Sequence, residues 1–204
     1  MRKDIVHTII ITDEHISEIY IERILRDWSK GEVLAVFANR NMKSASFNAN
    51  LIDHLSCHDH SYQEELANMT DNRSQDSTLL QSCLVGDPDL TRWILKHMVD
   101  DSDKSDIQHG EIDVVNKCRK NGASPLAIAC EYGHTKIVEM LLEYKADINK
   151  CQNECETPLF QACTNGYAKV LDKLVKHGAD INKSRQDGAS PLLIACIRTV
   201  IYGS

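Results

Sequence analysis

The C-terminal half of the chain repeats itself every 33 residues, and that period constrains the fold more tightly than any other feature. Residues 122–154 and 155–187 are identical at 12 of 33 aligned positions, against about two expected from average residue frequencies. Ser124-Pro125-Leu126 returns as Thr157-Pro158-Leu159 and again as Ser190-Pro191-Leu192. A unit this short cannot bury a core alone, so the period means a solenoid in which each unit leans on its neighbours.

The shared positions read as a helix pair. Ser124, Thr157 and Ser190 are N-caps, each followed by Pro, whose missing N–H costs nothing at the first helical position. The first helix carries Leu126, Ala129 and Cys130 and stops at Gly133, with Gly166 repeating the stop. Ile137, Val138, Leu141 and Leu142 then give one apolar face to a second helix, echoed by Val170, Leu171, Leu174 and Val175. Ala-Asp-Ile-Asn-Lys at 146–150 and 179–183 leads into polar tips such as Arg119-Lys120-Asn121-Gly122 and Arg185-Gln186-Asp187-Gly188, which read as β-turns.

G-A-S-P-L-A-I-A-C-E-Y-G-H, M-L-L-E-Y-K-A-D-I-N and H-G-A-D-I-N resemble the ankyrin repeat. The departures are Cys155 where the family prefers the turn Gly, Lys145 where it prefers the helix-ending Gly, and Ala127, Phe160 and Leu193 where it prefers His. A degenerate earlier unit starts at Ser77, with Leu79, Cys83, Gly86, Leu90, Ile94 and Leu95 lying 47 residues before their counterparts. The extra residues fall in the acidic stretch Asp100 to Gly110. The units are thus 77–121, 122–154, 155–187 and a truncated 188–204. In the last, Thr199 replaces the stop glycine, and Ile194, Ile197, Val200 and Ile201 lack a cover, which predicts a frayed or aggregation-prone end.

Residues 1–67 read as a small N-terminal region and 68–76 as a polar linker. Residues 5–12 suggest a short strand; Ile16, Ile19, Tyr20, Ile24, Leu25 and Trp28 give a helical stripe, and 47–56 and 61–68 two further helices. The run Tyr20 to Asn41, including Arg26-Asp27-Trp28-Ser29-Lys30-Gly31, is similar to the helical end of STAND-type NTPase modules that precede ankyrin arrays. That likeness implies an alternative role as a regulatory or oligomerisation fragment of a larger signalling NTPase. No G-x-x-x-x-G-K-[ST] phosphate loop is present in the chain, so nucleotide hydrolysis is not implied. The expected fold class is mostly α, an ankyrin solenoid preceded by this mainly helical region.

Eight cysteines invite a disulfide or zinc reading, but the period absorbs most of them. Cys83, Cys130, Cys163 and Cys196 share one first-helix position, where a small apolar side chain packs between units. Cys118 and Cys151 share a second position beside the tips. The spacing of Cys151 and Cys155 lacks a second ligand pair, and His54, Cys57, His58 and His60 crowd into seven residues rather than two separated pairs. Asp101 to Asp106 resembles the opening of a calcium loop, but Asp106 stands where Gly is needed and Ile112 where Glu is needed. No metal, cofactor or catalytic constellation is therefore expected. A net charge of −7 and the lack of a basic stripe argue against nucleic acid. No apolar run reaches membrane-spanning length, and Asp4 and His7 break the only stretch resembling a signal peptide, so a cytoplasmic protein is expected.

The resemblance implies a non-enzymatic scaffold that binds a protein partner on a concave face built from the tips and first helices. The variable positions there are Lys120, Asn121, Ala123, Glu131 and Tyr132, then Asn153, Glu154, Glu156, Thr164 and Asn165, then Gln186, Asp187 and Ala189. Tyr132 is the expected anchor, because interface hot spots are rich in tyrosine.

Overall fold

The computed structural model describes residues 49, 52–53, 55–70, 76–98 and 114–202. The expected strand at 5–12, the stripe at 16–28, the acidic insertion, the calcium-like run and His54 lie outside these residues. So does the stretch that carries the likeness to an NTPase tail.

The described residues form eight α-helices: α1 (His60–Ala67), α2 (Thr78–Val85), α3 (Pro88–Met98), α4 (Pro125–Glu131), α5 (Thr135–Glu143), α6 (Pro158–Asn165), α7 (Ala168–Lys176) and α8 (Pro191–Tyr202). The starts of α2, α4, α6 and α8 follow from the predicted caps. The side-chain oxygens of Ser77, Ser124, Thr157 and Ser190 accept from the N–H groups of Leu80, Ala127, Phe160 and Leu193 at 3.1–3.2 Å. Such a cap contributes about 1 kcal/mol over alanine. No extended strand occurs among the described residues; Thr70 and Ser77 form one isolated bridge.

The helices stack in two rows, with α2, α4, α6 and α8 inside and α1, α3, α5 and α7 outside. Leu79, Cys83, Leu126, Ala129, Cys130, Leu159, Ala162 and Cys163 are buried along the inner row, while Ile137, Val138, Leu141, Val170 and Leu174 are buried on the outer helices. Each fully buried leucine or isoleucine contributes about 1.5–3 kcal/mol. Small Cys and Ala side chains let successive inner helices approach closely. Cys196, expected to share this burial, is exposed, because no helix covers α8 among the described residues.

Packing does not break at residue 67. Leu55, Leu66 and Ala67 belong to one core with Leu79 and Leu95, and α1 extends the outer row beyond α3. Asp76, at the end of the stretch read as a linker, is buried. Its two carboxylate oxygens accept from Arg119 Nε at 3.0 Å and pair with Arg119 Nη2 at 2.9 Å. This fork ties the residue just ahead of Ser77 to the tip that ends the same unit.

A second tie follows the period. Asn116 Oδ1 accepts from Asp147 N–H at 2.8 Å, and Asn149 Oδ1 accepts from Asp180 N–H at 2.9 Å. The asparagine at this repeat position, Asn116 in D-V-V-N and Asn149 in A-D-I-N, thus grips the aspartate backbone of the following unit. In the last unit Thr199 supplies no left-handed stop, and α8 runs on as one helix to Tyr202 rather than turning.

The replaced glycine at Lys145 has a cost. Its φ is +62°, while its repeat counterpart Gly178 has φ +85° with nothing near a Cβ placed there. A side chain in this left-handed region costs about 1–2 kcal/mol, offset in part by glycine's extra unfolded freedom of about 0.5–1 kcal/mol. Lys145→Gly should raise stability by about 0.5–1 kcal/mol and Gly178→Lys lower it by a similar amount, read from urea midpoints at constant slope. Opposite signs confirm the strain; equal signs contradict it.

Candidate protein-binding face

Three tips line one edge of the array. Gly122 N–H donates to Arg119 O at 2.9 Å, Cys155 N–H to Gln152 O at 3.1 Å and Gly188 N–H to Arg185 O at 3.0 Å, closing each as a turn. Successive tips join through Asn153 N–H to Asn121 O at 3.3 Å and Gln186 N–H to Glu154 O at 3.0 Å. Glu154 and Cys155 both lie at φ +64°. Cys155 thus occupies the conformation that the preferred glycine would supply.

Arg185 clamps two tips together. Its guanidinium meets Glu154 at 2.5 Å, Glu156 at 3.0 Å and Asp187 at 3.6 Å, and lies 5.5 Å from the centroid of the Phe160 ring. Phe160 therefore serves as an apolar floor for the cation where histidine was the family preference. The other Glu156 oxygen accepts from Gln152 Nε2 at 2.6 Å and Gln161 Nε2 at 2.7 Å. With one carboxylate engaged by three donors, Glu156 helps to hold the tip's shape.

Ala123 also differs from expectation. It is 2% exposed, because Arg119 N–H bonds its carbonyl and Asn121 Oδ1 accepts its N–H, which turns the methyl into the core. Its side chain presents almost no area to a partner, whereas Glu156 and Ala189 at the same repeat position are half-buried. Lys120, Asn121, Tyr132, Asn153, Glu154, Thr164, Gln186 and Asp187 are exposed, while Glu131 and Asn165 are half-buried. Thr164 and Asn165 donate to the carbonyls of Phe160 and Gln161, both at 3.0 Å, and so are partly engaged with their own helix.

Tyr132 stacks on His134 with ring centroids 6.0 Å apart and planes 15° apart. His134 in turn lies over the left-handed Gly86 so closely that a Cβ there collides with the imidazole. Tyr167 covers Gly133 in the same way, with its Cδ1 2.6 Å from the site of a Cβ, and the Arg198 guanidinium covers Gly166. The stop glycines are therefore docking points for the following unit as well as helix caps. The repeated G-H and G-Y pairs carried this signal in the sequence; Arg198, which stands outside the repeat pattern, did not.

Cysteine chemistry at the seam is subdued. Burial pushes the Cys83 thiol up to about 12 and the Cys163 thiol up to about 11, and raises Cys130 and Cys118 as well. These sulfurs stay protonated and are poor nucleophiles or metal ligands. No grouping of three His, Cys, Asp or Glu side chains suited to a metal occurs among the described residues. No described helix is long and apolar enough to cross a membrane.

A family model described as Ankyrin repeats (3 copies) matches residues 42–152 and, in an overlapping match, 79–185. No catalytic domain is detected, and nothing in the comparison supports the likeness to a STAND-type NTPase tail. Among curated proteins, none matches the chain.

Burial lowers the pKa of His134 from its ordinary value of 6.5, and its Nε2 is buried without a hydrogen-bond partner. The unfolded chain therefore takes up the proton first as pH falls. The resulting stability is full above about pH 6.5 and is lost as pH drops through the folded pKa. Wild-type urea midpoints should fall between about pH 7.5 and pH 5 by more than those of His134→Tyr, which borrows the residue of the next unit. Equal losses in the two proteins would exclude His134 as the cause.

Proposed function

Because the chain belongs to the ankyrin repeat family, we propose that it is a non-catalytic scaffold that binds a protein partner across its tips and inner helices. The observation that carries this is the contrast between repeated and variable positions. The repeated ones are spent on caps, seams and ladders, whereas Lys120, Asn121, Tyr132, Asn153, Glu154, Gln186 and Asp187 are exposed polar or aromatic side chains on the frame they build. A surface whose backbone is fixed from unit to unit loses little freedom on binding, which is how a small set of contacts yields affinity.

Tyr132 is the proposed anchor. It is 38% exposed, so its ring has area left to bury, and the stacked His134 holds it in place. Glu131, Thr164 and Asn165 are proposed as flanking contacts. The packing of α1 on α3, and a family match that begins at residue 42, support a further divergent unit ahead of Ser77. The same reading is of a cytosolic protein, supported by buried thiols at a seam that depends on their staying reduced.

A partner isolated with the wild-type chain should bind Tyr132→Ala combined with Glu154→Lys about tenfold or more weakly, in line with loss of one hot spot. Lys169→Glu, on the exposed side of α7, should bind normally. Circular dichroism serves as the check that both variants fold. Unchanged affinity in the double variant would rule this face out.

A further inference from the structure

The chain contains two Asn-Gly pairs, Asn121-Gly122 and Asn165-Gly166. In such a pair the glycine amide nitrogen can attack the side-chain carbonyl carbon of the asparagine, because the glycine has no side chain to shield it. In the sequence the two pairs look alike. The fold separates them.

Asn121 is exposed in the first tip, within the turn closed by Gly122 N–H to Arg119 O at 2.9 Å. Its Oδ1 accepts from Ala123 N–H at 3.1 Å. A side-chain oxygen held by the N–H two residues on forms an Asx turn, which folds the side chain back over the intervening peptide, here that of Gly122. The amide carbon and the nitrogen that attacks it are therefore already neighbours. The same Ala123 N–H points at the oxygen on which negative charge develops as the carbonyl carbon becomes tetrahedral, so it acts as a single oxyanion donor.

Asn165 is held the other way. It is half-buried as the last residue of α6, and its Nδ2 donates to Gln161 O at 3.0 Å, which turns the side chain back along the helix. The N–H of Gly166 is shared between Ala162 O at 2.9 Å and Cys163 O at 3.2 Å, and the Arg198 guanidinium covers the glycine. Attack at Asn165 requires undoing the helix end and its cover. Attack at Asn121 requires giving up the turn bond to Arg119 O.

We propose that Asn121 is a site of spontaneous deamidation in the folded protein. Gly122 N bonds to Asn121 Cγ, the bond from Cγ to Nδ2 breaks, and Nδ2 leaves as ammonia with the proton that Gly122 N gives up, which leaves a five-membered succinimide. Water then opens the ring. Cleavage between the nitrogen and Cγ gives aspartate, and cleavage between the nitrogen and the backbone carbonyl carbon of residue 121 gives isoaspartate. The aspartate product fits the tip, since Asp187 stands at the same repeat position and its Oδ1 accepts from Ala189 N–H at 3.0 Å in the same way. The isoaspartate product carries one more carbon in the main chain, so the turn from Arg119 to Gly122 and the ladder bond from Asn153 N–H to Asn121 O lose their present geometry. Either product adds a negative charge beside Lys120.

Peptide mapping of the full chain by mass spectrometry tests this, after incubation in mildly alkaline buffer with and without guanidinium chloride. In the unfolded chain both pairs should convert at comparable rates, each gaining the mass difference between an amide and an acid. In the folded chain conversion at Asn121 should exceed that at Asn165 by about tenfold or more, because the tip reacts without opening a docked helix end. Labelling with a protein isoaspartyl methyltransferase should place isoaspartate in the peptide that holds residue 121. Asn121→Asp, which borrows the residue of the third tip, should keep the fold by circular dichroism and remove the mass gain from that peptide. No conversion at Asn121 in the folded chain while the unfolded chain converts, conversion at Asn165 that equals or outpaces it, or a peptide free of isoaspartate would each overturn the proposal.

Discussion

Everything described here depends on how closely neighbouring inner helices approach. α2, α4, α6 and α8 meet over Cys83, Ala129, Cys130, Ala162 and Cys163, side chains small enough to let leucines at 79, 126 and 159 pack fully. Since no unit has a core of its own, stability passes from neighbour to neighbour. The polar ties run along the same direction: Asp76 to Arg119, Asn116 to Asp147, Asn149 to Asp180, and the Arg185 clamp. Surface ion pairs contribute little singly, about 0–1 kcal/mol, so the clamp at 154–187 fixes tip geometry more than it stabilises the fold.

That division of labour explains why a plain scaffold can carry a variable surface. The seam and ladder fix the backbone to within hydrogen-bonding distance from one tip to the next. Side chains at Tyr132, Asn153 or Gln186 are then free to differ without disturbing the stack. At α8 the same logic leaves an apolar helix face without an inner-row neighbour among the described residues.

Much of the array was legible in the sequence because its determinants are local. A Ser or Thr cap sets each inner-helix start, followed by Pro in all but α2, and the two glycine replacements at Lys145 and Cys155 were visible as departures; both residues adopt the left-handed conformation that the missing glycine implied. Contacts 31 to 43 residues apart were not legible. Nothing local marks Asp76 as buried, since that is decided by Arg119, 43 residues on. The periodic asparagines were visible as part of a motif, but their role as acceptors for the next unit emerges only from stacking. Continuity of packing across residue 67 was likewise hidden, because α1, although capped by Asp59, lacks the Ser/Thr-Pro start and the stop glycine that make the later units recognisable.

The central claim is that the seam couples each unit to both neighbours, and hydrogen exchange on Ala162→Leu tests it most directly. Ala162 is fully buried between inner helices, and overpacking there costs about 1–3 kcal/mol. If the account holds, amide protection falls about tenfold or more in α4 and α8 as well as in α6. Loss confined to α6, with α4 and α8 exchanging as in the wild type, would contradict it.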